Sequence, residues 1–133
     1  MEEYNYTIEE VEEILEELAM ELPEEFFLKL HGGISLIDQI KYHPEAMGHD
    51  LYILGEYQRG IYGNMIRIYY GSFMKTYGFL PRESLKKKLR KTLRHEFRHH
   101  LEHLSGERDL EIEDEIALEK YKKRFENRKS GDQ

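Results

Sequence analysis

Two histidines four residues apart, with a glutamate directly after the first, are the side chains of this sequence best suited to chemistry. Residues 94–109 read RHEFRHHLEHLSGERD and place an H-E-x-x-H pattern at His95, Glu96 and His99. On a helix, residues four apart lie on one face about one turn (roughly 5.4 Å) apart, so both imidazoles can point at one metal ion. Glu96 lies roughly 100° around the helix from His95, where its carboxylate could reach a water on the metal without being a ligand.

This arrangement predicts a small zinc hydrolase. Zinc lowers the pKa of a bound water toward about 7, and Glu96 would take a proton from that water as it attacks a peptide carbonyl. Glu96 would then pass the proton to the leaving amine. In this interpretation Glu96 is the general base, and His95 and His99 are ligands through Nε2. The competing interpretation is a helix surface that is only rich in histidine.

The motif does not identify the third ligand. His103 continues the same row, but it lies about 12 Å along the helix axis from His95, too far to share one ion. Three carboxylates beyond the turn are the remaining candidates: Glu113, Asp114 and Asp109. The first two are favoured, since an antiparallel return of the chain after Gly106 would bring them alongside His99, whereas Asp109 stays nearer the turn. Each of the three also fits a solvated helix carboxylate.

A long helix over residues 81–105 is expected to carry the motif. Apolar residues recur in it every four positions and form one stripe: Leu85, Leu89, Leu93, Phe97 and Leu101, with Leu104 in the same sector. At about 100° per residue the stripe is centred roughly 170° from His95. The helix is therefore expected to bury one side and to show its histidines on the other. Gly106 is the expected end of the helix.

Helices are expected at both ends of the chain. Thr7 and Glu10 form a capping box that begins a helix through residue 22, and Pro23 opens a shorter one. A final helix is expected over residues 110–125, with a frayed tail from residue 127.

Three strands are expected between the helices, over residues 34–40, 51–57 and 65–70. The third alternates, with Ile66 and Ile68 on one side and Met65 and Arg67 on the other, as in a sheet with one face covered by helices. An exposed strand edge could accept an extended peptide. Residues 71–78 fit either a short helix or a loop. The fold class is α+β.

Composition restricts the possible classes of protein. At 133 residues without cysteine, the chain is expected to form a single domain over residues 1–133, and disulfides and thiolate zinc sites are excluded. No apolar stretch approaches the roughly 20 residues of a membrane span, so a cytoplasmic protein with no membrane partner is expected. Residues 1–28 hold eleven acidic and no basic side chains, whereas residues 29–133 carry 20 basic against sixteen acidic ones. The overall charge of −7 argues against nucleic acid as a partner.

The chain also resembles the small, one-domain bacterial zincin-like metallopeptidases. The resemblance extends from about Ile8 to Asp114 and rests on four segments in the same order and spacing: LEELAMELPEEF, LYILGEYQRG, MIRIYYGSF and LKKKLRKTLRHEFRHH. It implies a minimal zincin, in which a small mixed sheet of three or four strands packs against the HExxH helix, and a following segment supplies the third ligand. It also implies Zn²⁺ as cofactor, a peptide or protein as substrate, His95 and His99 as ligands, and Glu96 as general base.

The end of the motif departs from that family. Its members commonly read HExxHxxGxxD, but this chain has Glu102 and Ser105 at the Gly and Asp positions. The pattern is restored four residues later, which would place Asp109 about one turn (roughly 6 Å) farther from the metal. A zinc-dependent metallopeptidase is therefore the leading prediction. The alternative is a non-catalytic metal-binding or protein-interaction module on a zincin fold.

Overall fold

The computed structural model describes residues 4–45, 48, 51–61, 63–106 and 120–124. Helices and one small sheet make up the described part of the chain, which confirms the α+β class. In order the elements are α1 (Ile8–Met20), a 3-10 helix (Glu24–Phe27), β1 (Gly33–Ile37), β2 (Gly55–Gln58), β3 (Met65–Tyr69), α2 (Tyr70–Tyr77) and α3 (Arg82–Ser105). Residues 120–124 are helical as well, in agreement with the final helix expected there.

The sheet is mixed, with strand order β1-β3-β2. β1 runs parallel to β3, and β2 runs antiparallel to it, so that Gly55 lies opposite Ile68 and Tyr57 opposite Ile66. Ile66 and Ile68 are fully buried, as the alternation predicts. β2 is an edge strand of the described sheet, and it lies against α3.

The core lies between α1, α3 and one face of the sheet. The capping box of α1 is confirmed, since the Thr7 hydroxyl accepts from the Glu10 N–H and the Glu10 carboxylate accepts from the Thr7 N–H. The stripe on α3 is buried except for the half-buried Leu101. Its buried members pack with the apolar side of α1: Leu85, Leu89, Leu93 and Phe97 against Val11, Ile14, Leu15 and Leu18.

Several boundaries differ from those expected. β2 begins at Gly55 rather than at residue 51, because residues 51–53 pair with residues 41–43 through an isolated bridge between Tyr42 and Tyr52. β1 ends at Ile37, three residues early, and the helix after Pro23 is a single 3-10 turn. The ambiguous stretch is helix α2, which begins at Tyr70, a residue expected in the strand. None of the described helices combines the length and the apolar composition needed to span a membrane.

Candidate active site

The imidazoles of His95 and His99 meet on the exposed side of α3. Their Nε2 atoms are 3.3 Å apart, and the two rings lie edge to face with centroids 4.8 Å apart. Two nitrogen ligands at the zinc distance of about 2.0–2.1 Å, in tetrahedral geometry, are separated by about 3.3–3.4 Å. The helix therefore presents two nitrogens at the spacing that one zinc ion requires.

The carboxyl group of Glu96 is turned away from solvent toward β2. Glu96 is only 6% exposed, and its carboxylate accepts a hydrogen bond from the backbone of Tyr57. Burial, helped by the nearby charge of Glu56, raises the pKa of Glu96 to about 7, although the Tyr57 hydrogen bond opposes this rise. Glu96 and His95 nevertheless line the same cavity, so the carboxyl group borders the space that His95 also borders.

The expectation that α3 shows its histidines on the side opposite the leucine stripe is wrong for His100, which is fully buried. Five residues at about 100° each place it roughly 140° from His95, inside the apolar sector. The projection that located the stripe could therefore have identified His100 as a core residue. The expectation holds for His95 and His99, which are both exposed.

Hydrogen bonds at both ring nitrogens hold His100 in place. Its Nε2 lies 2.7 Å from the Leu28 carbonyl oxygen, and its Nδ1 lies 2.8 Å from the Tyr57 hydroxyl. Because a carbonyl oxygen can only accept, Nε2 donates and carries the proton, and Nδ1 accepts from the Tyr57 hydroxyl in the neutral ring. His100 thus connects α3 to β2 and to the loop before β1, and it takes no part in the histidine pair.

A cavity of about 1100 Å³ opens between α3 and the β2 side of the sheet. His95 and Glu96 line it from the helix, and Gly55 lines it from the strand. A Cβ atom on Gly55 would lie 3.1 Å from Thr92 Cγ2 and 3.1 Å from the Arg67 carbonyl oxygen. The missing side chain at Gly55 therefore allows β2 to lie close to the helix that carries the motif.

The carboxylates predicted as third ligand, Asp109, Glu113 and Asp114, lie outside the described residues, and their role stays a prediction. Within the described ranges, no group of three or more His, Asp or Glu side chains is placed to hold a metal ion. His103 does not join the pair, in line with its expected distance. Its Nδ1 lies 3.3 Å from an Arg59 guanidinium nitrogen.

Comparison with solved structures finds a conserved hypothetical protein from Thermus thermophilus. It is 34% identical in sequence and superposes with a TM-score of 0.66, and the match covers 75% of this chain and 98% of that chain. No protein-family model matches this sequence. Among curated proteins, no match was found.

Proposed function

We propose that this chain, which belongs to one family with the conserved hypothetical protein from Thermus thermophilus, is a zinc-dependent metallopeptidase with a minimal zincin-like fold. The observation that carries the proposal is the 3.3 Å separation of the His95 and His99 Nε2 atoms on an exposed helix face. Glu96 follows His95 directly and shares its cavity, as a general base beside a metal site must.

The donor atoms fit zinc. Zinc takes imidazole nitrogens and carboxylate oxygens in tetrahedral sites, and catalytic sites keep one position open. His95 and His99 would supply two ligands, and one of Asp109, Glu113 and Asp114 the third. When bound, zinc supplies Lewis acidity, which lowers the pKa of a water and polarises a carbonyl group.

Glu96 would move the proton. As water adds to the peptide carbonyl carbon, the Glu96 carboxylate accepts a proton from it. When the C–N bond breaks, Glu96 returns that proton to the leaving amine. The hydrogen bond from the Tyr57 backbone orients the Glu96 carboxylate. Burial of Glu96 keeps bulk water from competing for the proton.

The first experiment is zinc analysis after reconstitution. We expect wild-type protein to hold about one zinc ion per chain and His99→Ala to lose most of it, because one imidazole cannot hold the ion in its place. His31→Ala is the matched control, since His31 is an exposed histidine outside α3. Wild-type protein that binds no zinc would contradict the proposal.

The second experiment tests the general base. Glu96→Gln should retain zinc but cleave an unfolded protein substrate about 10²–10⁴-fold more slowly, because the amide cannot accept the proton. Glu83→Gln, at an exposed position on the same helix, is the control. Equal cleavage by wild type and Glu96→Gln would show that another group acts as base.

The alternative function is a non-catalytic metal-binding or protein-interaction module on the same fold. The departure at Glu102 favours it, because Glu102 stands where the resembled family has glycine and pairs with Arg98 at 3.2 Å. Zinc binding by wild-type protein without cleavage of any unfolded substrate would support this alternative.

A further inference from the structure

Two lysines extend the face of α3 that carries the histidine pair. Lys91 lies four residues and Lys88 seven residues before His95, so they project from the same face about 6 Å and 10.5 Å away along the axis. Both line the cavity that contains His95 and Glu96, as does Lys87, which projects about 100° around the helix from Lys88. One wall of this cavity therefore carries positive charge next to the candidate metal site.

These lysines differ from the arginines nearby. Arg90 forms an ion pair with Glu21 at 2.9 Å, and an Arg94 guanidinium nitrogen lies 3.8 Å from the same carboxylate. Neither Lys88 nor Lys91 pairs with a carboxylate in the part of the chain that the structure describes. The Lys88 ammonium lies 5.2 Å from the centre of the Tyr77 ring. The two lysine charges are thus available to a ligand in the cavity.

The opposite wall offers backbone groups. The Leu54 carbonyl oxygen accepts from Tyr69 N–H at 2.9 Å and so faces β3, whereas the Tyr57 backbone donates outward to Glu96. Peptide groups two residues apart on a strand point the same way, so those of Gly55 also face outward, into the cavity that Gly55 lines. An extended peptide would therefore find hydrogen-bonding groups on one wall and lysines on the other.

We propose that the cleft between α3 and β2 selects peptides with aspartate or glutamate two or three residues to one side of the bond that is cleaved. An extended chain advances about 3.3 Å per residue, so the two lysines lie about two and three residues from the histidine pair. This inference rests on the proposed peptidase function and names its substrate class.

Lys88 and Lys91 lie on one side of the histidine pair, whereas on the other side the Arg59 guanidinium lies beside His103, outside the cavity lining. Beyond His99 the same helix face carries Glu102, whose carboxylate lies 3.2 Å from Arg98 and 4.0 Å from Lys122. Acidic residues on that side of the peptide would therefore meet a paired carboxylate. The cleft is therefore expected to prefer acidic residues on the lysine side of the cleaved bond and not on the Glu102 side.

A short acidic peptide fits this cleft better than a nucleic acid does. The lining includes the Glu21 carboxylate, which neutralises Arg90 there, and the whole chain carries a net charge of −7. Such a chain repels a long polyanion, while a peptide with two or three charges can be bound by the lysines of the cavity lining alone.

The test measures binding to full-length Glu96→Gln protein, in which cleavage does not deplete the probe. The probes are fluorescein-labelled unstructured peptides with a pair of glutamates before a central leucine, a pair after it, or glutamines at both places. Fluorescence anisotropy should show that one glutamate peptide binds more tightly than the glutamine peptide. Added salt should reduce that preference.

Lysine variants test whether Lys88 and Lys91 cause the preference for the glutamate peptide. Lys88→Gln and Lys91→Gln, each made in the Glu96→Gln protein, should each weaken binding of the favoured glutamate peptide roughly twofold to fivefold, as for partly exposed ion pairs. Lys123→Gln is the matched control, because Lys123 is exposed and lies outside the cavity lining. A preference unchanged in the Lys88→Gln, Lys91→Gln double variant would overturn the inference.

Other outcomes separate this inference from the proposed function. Equal binding of all three peptides, with cleavage by wild-type protein, would overturn the acidic preference and leave the peptidase standing. Lysine-dependent binding of the glutamate peptide without any cleavage would support the acidic cleft while contradicting the peptidase. Tighter, lysine-dependent binding of a single-stranded oligonucleotide would overturn the inference in favour of nucleic acid.

Discussion

His100 and the pair formed by His95 and His99 lie within six residues of one helix but have different surroundings. His95 and His99 face solvent with their Nε2 atoms together, whereas His100 uses both of its nitrogens inside the protein. A buried imidazole with both nitrogens hydrogen-bonded contributes to stability, because its partners would otherwise lose their hydrogen bonds. We therefore expect different consequences from substitutions at these positions.

His100→Ala should lower the free energy of unfolding by about 2–5 kcal/mol. The change leaves the Leu28 carbonyl and the Tyr57 hydroxyl without their present partner and creates a cavity. Urea denaturation of metal-free protein measures the loss. Zinc content of the folded fraction should stay at the wild-type level.

The matched control is His31→Ala, at an exposed position, where the change should stay within about 0.5 kcal/mol. If His100→Ala lost zinc while keeping its stability, His100 would be a ligand after all.

Helix α3 joins the core to the candidate site. It spans 24 residues, with a leucine stripe on one side and the histidine pair on the other. Because the helix is a rigid rod with a fixed rise, packing of the stripe sets the position of the histidines relative to β2. Stability and site geometry thus depend on the same element but on opposite faces of it.

Leu89→Ala should cost about 2–5 kcal/mol in the free energy of unfolding, since Leu89 is fully buried between α1 and the sheet. Chemical denaturation provides the measurement, and Lys87→Ala, exposed on the same helix, is the control. Zinc content of the folded protein should be unchanged, because the separation of His95 and His99 is set by the geometry of α3 itself. A loss below about 1 kcal/mol would contradict the core assignment.

Across the whole molecule, acidic α1 lies against the basic first half of α3. Glu17 accepts from Arg82 at 2.6 Å and from Lys86 at 2.7 Å, and Glu21 pairs with Arg90. The two partners of Glu17 lower its pKa from 4.5 to about 2. The acidic residues near the start of the sequence and the basic residues of α3 thus form ion pairs that stabilise the contact between α1 and α3.

This pKa predicts how stability depends on pH. Above pH 4.5 the Glu17 carboxylate is ionised in both the folded and the unfolded chain, and its contribution is fully present. As the pH falls toward 2, the unfolded chain takes up the proton first, so this contribution is lost.

The Tm difference between wild type and Glu17→Gln should therefore be present at pH 7 and should shrink between pH 4.5 and pH 2. Salt should reduce it at neutral pH, because these side chains are exposed enough to be screened. Glu16→Gln, on the solvent side of α1, is the control and should show no such difference. A gap that stays constant down to pH 2 would show that Glu17 acts through packing rather than charge.

Features that depend on local geometry could be predicted from the sequence. The capping box at Thr7, the stripe of α3 and the separation of His95 and His99 from that stripe follow from helical periodicity. Boundaries that depend on distant partners could not. Residues 51–53 look like the start of β2, but they pair with residues 41–43 and leave the strand to begin at Gly55.

The sequence by itself determined that one helix carries two imidazoles able to meet, because a fixed rise and rotation per residue relate residues four apart. Only the tertiary structure decided that Glu96 is buried against β2, that His100 bonds to Tyr57 and Leu28, and that Lys88 and Lys91 line a cleft. These outcomes depend on where β2 lies beside α3. That position is decided by pairing and packing among segments far apart in the chain, which no local pattern encodes.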